Sequence, residues 1–226
     1  IAVGSQGEDS VDGTPTNNAA SNAGAAYIFV RNAGTWSQQA YIKPSTIAGA
    51  LPGFTYGDVF GRTLALDGDT LVVGSAIEFN GGEDSAATGV NGNQSDNSAL
   101  ESGAAWVFAR TGTTWSQQAY LKASNTGAGD HFGFAVAVSG ERIVVGAYRE
   151  DSLIGNPGDN SATDAGAAYV FVRSGTTWAQ EAFLKPSNTA AGDRFGWAVA
   201  ISEDRIAIGS PHKTNQSGAA YVFSRD

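Results

Sequence analysis

Paired carboxylates are the first residues of this sequence whose type and spacing could do chemistry. Glu8-Asp9 and Glu150-Asp151 each stand four and five residues beyond a glycine, Gly4 and Gly146, that closes an apolar quartet. Glu78 fills the first of those places after Gly74, with Phe79 where the aspartate would be, and Lys213 stands there after Gly209. Hard cations such as Ca²⁺ take several oxygen ligands from carboxylates, amides and backbone carbonyls. The candidate calcium ligands are therefore Glu8, Asp9, Asp12, Glu150, Asp151 and Asp159, with Asp84, Asp164 and Asn156 as further donors. The competing reading is that Glu-Asp pairs cap turns and keep loops soluble.

Catalytic patterns are sparse. His131 and His212 are the only histidines. They lie far apart in sequence, and no Ser-His-Asp set, phosphate-cradling glycine loop or His-x-x-x-His pair accompanies them. A carboxylate pair for glycoside cleavage could be assembled from the acidic loops, but acidic residues are too plentiful there to single one out. No catalytic residue is assigned. Phe54, Tyr56, Glu78 and Phe79 lie in loops and form the candidate ligand face, where aromatic rings could stack on a sugar or a protein.

Composition narrows the partners. Among 226 residues, 22 acidic against 13 basic ones give a net charge of -9, which argues against nucleic acid or an anionic membrane surface. The absence of cysteine excludes a disulfide framework and a thiolate metal site. No apolar run approaches the ~20 residues needed to span a bilayer.

The elements that must position these residues recur. Four apolar quartets, Ile1-Ala2-Val3-Gly4, Leu71-Val72-Val73-Gly74, Ile143-Val144-Val145-Gly146 and Ile206-Ala207-Ile208-Gly209, start 70, 72 and 63 residues apart. Each is followed by Gly-Ala-Ala-aromatic, at Gly24, Gly103, Gly166 and Gly218. Trp36, Trp115 and Trp178 open a third set, and Phe60-Gly61, Phe132-Gly133 and Phe195-Gly196 a fourth, each with Gly-Asp just before it. The segments are short, β-branched or aromatic, and bounded by Gly, Asn, Asp or Ser, which are strand signals. Nothing sustains a 3.6-residue period, so helices should be few. Four strands per repeat describe one propeller blade, with a stacked β-solenoid as the alternative.

The strands are labelled A (Phe-Gly), B (Val-Val-Gly), C (Gly-Ala-Ala) and D (Trp). The chain then reads B-C-D, A-B-C-D, A-B-C-D, A-B-C. This predicts an all-β partial propeller arc of about three and a half four-stranded antiparallel blades. Its units are 1–56 lacking strand A, 57–128, 129–191, and 192–226 lacking strand D. A chain that opens at Ile1 inside an apolar strand reads as a fragment, with the remaining blades supplied by the same parent chain or by a partner. The large aromatics Tyr27, Trp106, Tyr169 and Tyr221 are expected between blades. The long, unlike B–C loops share a face with the D–A connections, and binding is expected there. By count those loops hold 12 acidic residues and only Arg149 and Lys213 as bases, so the acidity reads as a property of that face.

The recurring Gly-Asp-x-Phe-Gly, Val-Val-Gly and Gly-Ala-Ala-Tyr-Val-Phe pattern resembles the FG-GAP repeat of integrin alpha-type propellers and of secreted or surface proteins of bacteria. Clear copies begin at Gly129-Asp130-His131-Phe132-Gly133 and Gly192-Asp193-Arg194-Phe195-Gly196, and a looser one at Gly57-Asp58-Val59-Phe60-Gly61. The resemblance implies a ring of seven blades, an extracellular or cell-surface location and a bacterial origin. It also implies a non-catalytic binding, adhesion or scaffold role for a protein or carbohydrate ligand. A propeller-fold polysaccharide lyase or hydrolase and a structural subunit of a larger assembly are the alternatives. The calcium ligands of integrin-type repeats sit in an Asp-x-Asp-x-Asp-Gly loop inside the A–B hairpin. Here those hairpins, such as Ser139-Gly140-Glu141-Arg142, are too short to wrap a cation, so those ligands have no counterpart. Asp58, Asp130 and Asp193 are expected to fix the turn before each Phe-Gly.

Overall fold

The computed structural model describes residues 1–10, 14–46, 57–76, 82–154 and 156–225. Its strands fall into four antiparallel sheets in chain order. The first holds β1 (Ala2–Ser5), β2 (Ala25–Asn32) and β3 (Thr35–Ile42). The second holds β4 (Thr63–Asp67), β5 (Thr70–Ser75), β6 (Ala104–Thr111) and β7 (Thr114–Leu121). The third holds β8 (Phe132–Ser139), β9 (Arg142–Ala147), β10 (Ala167–Ser174) and β11 (Thr177–Leu184). The fourth holds β12 (Ala198–Ser202), β13 (Arg205–Ser210) and β14 (Ala219–Ser224), with one short helix, α1 (Lys213–Gln216), between its last two strands. This is the expected partial arc: two complete up-and-down blades between two that lack one strand each. Two-residue turns join the A–B and C–D pairs, and each complete C–D pair carries the same bulge, at Ile28/Phe29, Val107/Phe108 and Val170/Phe171.

Because side chains alternate along a strand, each sheet offers one face to the blade before it and one to the blade after. Three apolar layers result. Ala26, Ile28 and Ile42 of the first sheet pack on Phe60, Leu71, Val73 and Trp106 of the second. Val72, Val107 and Leu121 meet Ile143, Val145 and Tyr169 of the third. Val144, Ala168 and Val170 meet Ile206 and Ile208 of the fourth. Each large apolar side chain so buried contributes roughly 1.5–3 kcal/mol. Trp106 and Tyr169, flanked by blades on both sides, are fully buried, whereas Tyr27 and Tyr221 at the two ends of the arc are half-buried.

The Phe-Gly pair is the joint between blades. The phenylalanine packs edge-on to the aromatics of its own C strand, Phe60 on Trp106 at 5.3 Å, Phe132 on Tyr169 at 5.3 Å and Phe195 on Tyr221 at 5.5 Å. Its backbone N–H donates to the loop of the preceding blade, to Ala23, Ser102 and Ala165 carbonyls at 3.0, 2.8 and 3.0 Å. The following glycine sits at φ +90 in all three copies and lays its carbonyl on the B-strand glycine of the preceding blade. A Cβ on Gly4, Gly74 or Gly146 would stand 1.9, 2.1 or 2.0 Å from that carbonyl oxygen, so only glycine fits. The expected turn-fixing role is present in two of the three aspartates: Asp130 and Asp193 accept the N–H of Gly127 and Ala190 at 2.7 and 2.8 Å.

Candidate functional site

The B–C loops are long, yet their ends close by one repeated device. The glutamate carbonyl accepts the N–H of the glycine that opens strand C, Gly24 from Glu8, Gly103 from Glu83 and Gly166 from Glu150, each at 2.8 Å. The adjacent aspartate carboxylate holds a backbone N–H across the loop: Asn22 on Asp9 at 2.7 Å, Glu101 on Asp84 at 2.7 Å and Asp164 on Asp151 at 2.8 Å. Those three residues take φ of 54, 56 and 54, and the carboxylate bond offsets that strain. The glutamate carboxylate turns inward onto a lysine at the end of the same blade's D strand. Lys43 meets Glu8 at 2.8 Å, Lys122 meets Glu83 at 3.2 Å and Lys185 meets Glu150 at 2.5 Å.

Two expectations change here. Glu78 is not the counterpart of Glu8; Glu83-Asp84 occupies that place in the second loop, displaced by five residues of extra chain. Of the six proposed calcium ligands, the five that are described each have another partner. Glu8 and Glu150 are bound to lysines, Asp9 and Asp151 to backbone amides, and Asp159 to the N–H of Ser161 at 2.9 Å. Among the described residues no three acidic or histidine side chains gather in a cation-sized group, so the described residues alone do not form a calcium site. Asp12 and the whole candidate ligand face, Phe54, Tyr56, Glu78 and Phe79, lie outside the described residues.

Burial sets the electrostatics of these pairs. Glu83 is pushed up and Lys122 pushed down by desolvation, each opposed by its partner's charge. Burial also acts to raise Glu8, but its bonds from Lys43, Tyr41 and Ser10 together leave it below its usual range. Three of the loop carboxylates are thus neutralised from beneath by lysines outside the loops, and the face is less acidic than its sequence count.

A different cluster occupies the axial part of this face. The innermost strands β4, β8 and β12 lie side by side. The residue after each Phe-Gly therefore falls in a row: Arg62, Phe134 and Trp197. Phe134 packs at a tilt against Tyr148 at 4.4 Å and Trp197 at 5.0 Å, Tyr148 meets Trp197 edge-on at 4.8 Å, and His212 stacks on Trp197 at 6.3 Å. Three guanidinium groups lie over these rings: Arg62 over Phe134 at 5.9 Å, Arg149 over Tyr148 at 5.5 Å, and Arg194 over Tyr148 and Trp197 at 5.7 Å each. Arg149 also stands 4.0 Å from Asp164. Beneath them the buried His131 packs edge-on to Tyr148 and faces Glu101 at 3.5 Å. Tyr148 is fully buried and Phe134 nearly so, and the partly exposed arginines seated on these rings can stack on a flat ligand and neutralise its negative charge. Sequence reasoning missed this patch because its members come from three repeats at positions that vary in type.

Four antiparallel blades joined in an arc by Phe-Gly define a β-propeller-type module. Residues 115–171 and 178–223 match the FG-GAP repeat, so this part of the chain is similar to FG-GAP repeat proteins. The first half of the chain repeats the same strand order and the same joint. No curated protein matches the sequence. No helix among the described residues is long and apolar enough to cross a membrane.

Proposed function

We propose that this chain is part of a non-catalytic, extracellular binding or adhesion module, and that its ligand is an acidic glycan taken at the axial end of the B–C/D–A face. The observation that carries the reading is the stack of Arg62, Arg149 and Arg194 over Phe134, Tyr148 and Trp197. The buried rings of Phe134 and Tyr148 seat the guanidinium groups, and guanidinium groups take the carboxylate of an acidic sugar bidentately. FG-GAP repeats are typical of surface and extracellular proteins, which supports the location. The polysaccharide-cleaving alternative would draw on Glu150 and Asp151, but these are engaged by Lys185 and by the Asp164 amide.

Calorimetric titration with a uronic-acid oligosaccharide, against a neutral oligosaccharide of equal length, tests the proposal. Binding of the acidic sugar alone, weakened at least about tenfold in Arg149→Ala and Arg194→Ala, is expected. Equal binding of both sugars, or of neither, would overturn it.

A further inference from the structure

The place where each long B–C loop meets the next Phe-Gly joint is built alike three times and filled differently each time. Asn22, Glu101 and Asp164 stand there at φ of 54, 56 and 54. The N–H of each is held by Asp9, Asp84 or Asp151. The carbonyl of each accepts the N–H of the residue before the joint phenylalanine, Val59, His131 or Arg194, at 3.1, 3.1 and 3.0 Å. Those three partners are themselves at φ of 50, 57 and 56. Two strained residues thus face each other across a blade boundary, and main-chain groups of both are bonded whatever their side chains are. The choice of side chain is left open to chemistry.

The pairs differ in kind. Asn22 with Val59 is uncharged. Glu101 sets a carboxylate 3.5 Å from the buried His131. Asp164 with Arg194 belongs to the arginine cluster. Its Oδ1 stands 4.0 Å from Nε of Arg149, whose guanidinium lies over the same Tyr148 ring as that of Arg194. At that distance the contact is an ion pair without a hydrogen bond. Nε of Arg149 is buried and has no hydrogen-bond partner among the described residues. Asp164 is also the only carboxylate among the described residues within ion-pair range of Arg62, Arg149 or Arg194.

We propose that Asp164 sets the charge selectivity of this site, admitting a sugar that bears a carboxylate alone and repelling one that carries a sulfate ester beside it. The inference rests on the acidic-glycan reading. A carboxylate taken by Arg149 and Arg194 lies next to Asp164 and is neutralised by two guanidinium groups. A further anion on the same or the adjoining ring meets Asp164 where it would need a cation. Like charges about 5 Å apart at a partly exposed site weaken binding at least about fivefold. Selectivity of this kind needs a repulsive element, and the arginines supply only attraction.

The test uses two oligosaccharides of equal length: a glucuronic acid–N-acetylgalactosamine chain, and the same chain with one sulfate ester on each N-acetylgalactosamine. Each is titrated calorimetrically into the 226-residue protein and into Asp164→Asn. Asparagine already holds the equivalent place at φ 54 as Asn22, so the variant should melt like the unaltered chain. The unaltered chain should bind the unsulfated sugar more tightly. Asp164→Asn should shift the ratio of the two affinities at least about fivefold towards the sulfated sugar. Asp204→Asn removes the same charge at the opposite end of β12 from Trp197 and should leave the ratio unchanged. A preference of the unaltered chain for the sulfated sugar would overturn the inference. So would an unchanged ratio in Asp164→Asn, or an equal shift in Asp204→Asn, and each of these leaves the acidic-glycan reading standing. Binding of neither sugar by either protein would overturn both.

Discussion

Lys122 is fully buried with its Nζ 3.2 Å from Glu83 Oε2, 2.7 Å from Ser102 Oγ and 2.6 Å from the carbonyl oxygen of Gly103. One ammonium group thus ties the end of the Trp-bearing strand to both ends of the 28-residue span between strands B and C, residues 76–103. Removing it leaves an unpaired carboxylate in an apolar layer. Lys122→Ala should therefore lose about 3–5 kcal/mol, measured by denaturant unfolding. Replacing both partners by apolar residues of similar volume, Lys122→Met with Glu83→Leu, should recover most of that loss. Two mutants of equal stability would show that the carboxylate is not held by the lysine.

The glycine joint gives a paired prediction. Gly146→Ala places a methyl carbon 2.0 Å from the Gly196 carbonyl oxygen and should cost about 1–3 kcal/mol or more. In Gly209→Ala, the same substitution one repeat later, the methyl carbon stands 3.5 Å from Ala198, so the melting temperature should change little. Thermal melts of the two variants side by side check the claim that the overlying carbonyl makes glycine obligatory at Gly146.

Asp130 gives a pH dependence. Burial, with the charges of Glu150 and Asp151 added, pushes its carboxyl up to about 8, against the Gly127 N–H bond and Lys122, which pull it down. The folded state therefore holds this proton more tightly than the unfolded chain. The stability Asp130 contributes is complete below about pH 4 and is lost as pH rises towards 8. Asp130→Asn keeps an oxygen for the Gly127 N–H and removes the titration. The difference in melting temperature, variant minus unaltered chain, should grow from pH 4 to pH 8 and level off above it. A constant difference would contradict the account.

The repeat was legible because it is written locally. Val-Val-Gly, Gly-Ala-Ala, Trp and Phe-Gly each specify a strand, and their order specifies the two truncated end blades. The site was less so. Loop length broke the phase in the second repeat, where Glu78 stands at the sequence distance of Glu8 but Glu83 stands at its place in space. Lys43, Lys122 and Lys185 offered a signal, each seven residues after its tryptophan and just beyond the last apolar residue of the strand. Their partners lie one loop away, so composition alone read the carboxylates as free. Arg62, Phe134 and Trp197 meet only because inner strands of successive blades run side by side, a distance no single repeat encodes.

The proposed division of labour is that the axial arginines, seated on buried rings, carry ligand binding on the B–C/D–A face, while the loop carboxylates hold the loops together. Titration of the chain with a uronic-acid oligosaccharide, with and without EDTA and at two salt concentrations, tests it most directly. The account predicts an affinity unchanged by EDTA and weakened by added salt, because guanidinium–carboxylate contacts at a partly exposed site are screened. Binding that disappears with EDTA and returns with calcium would contradict it.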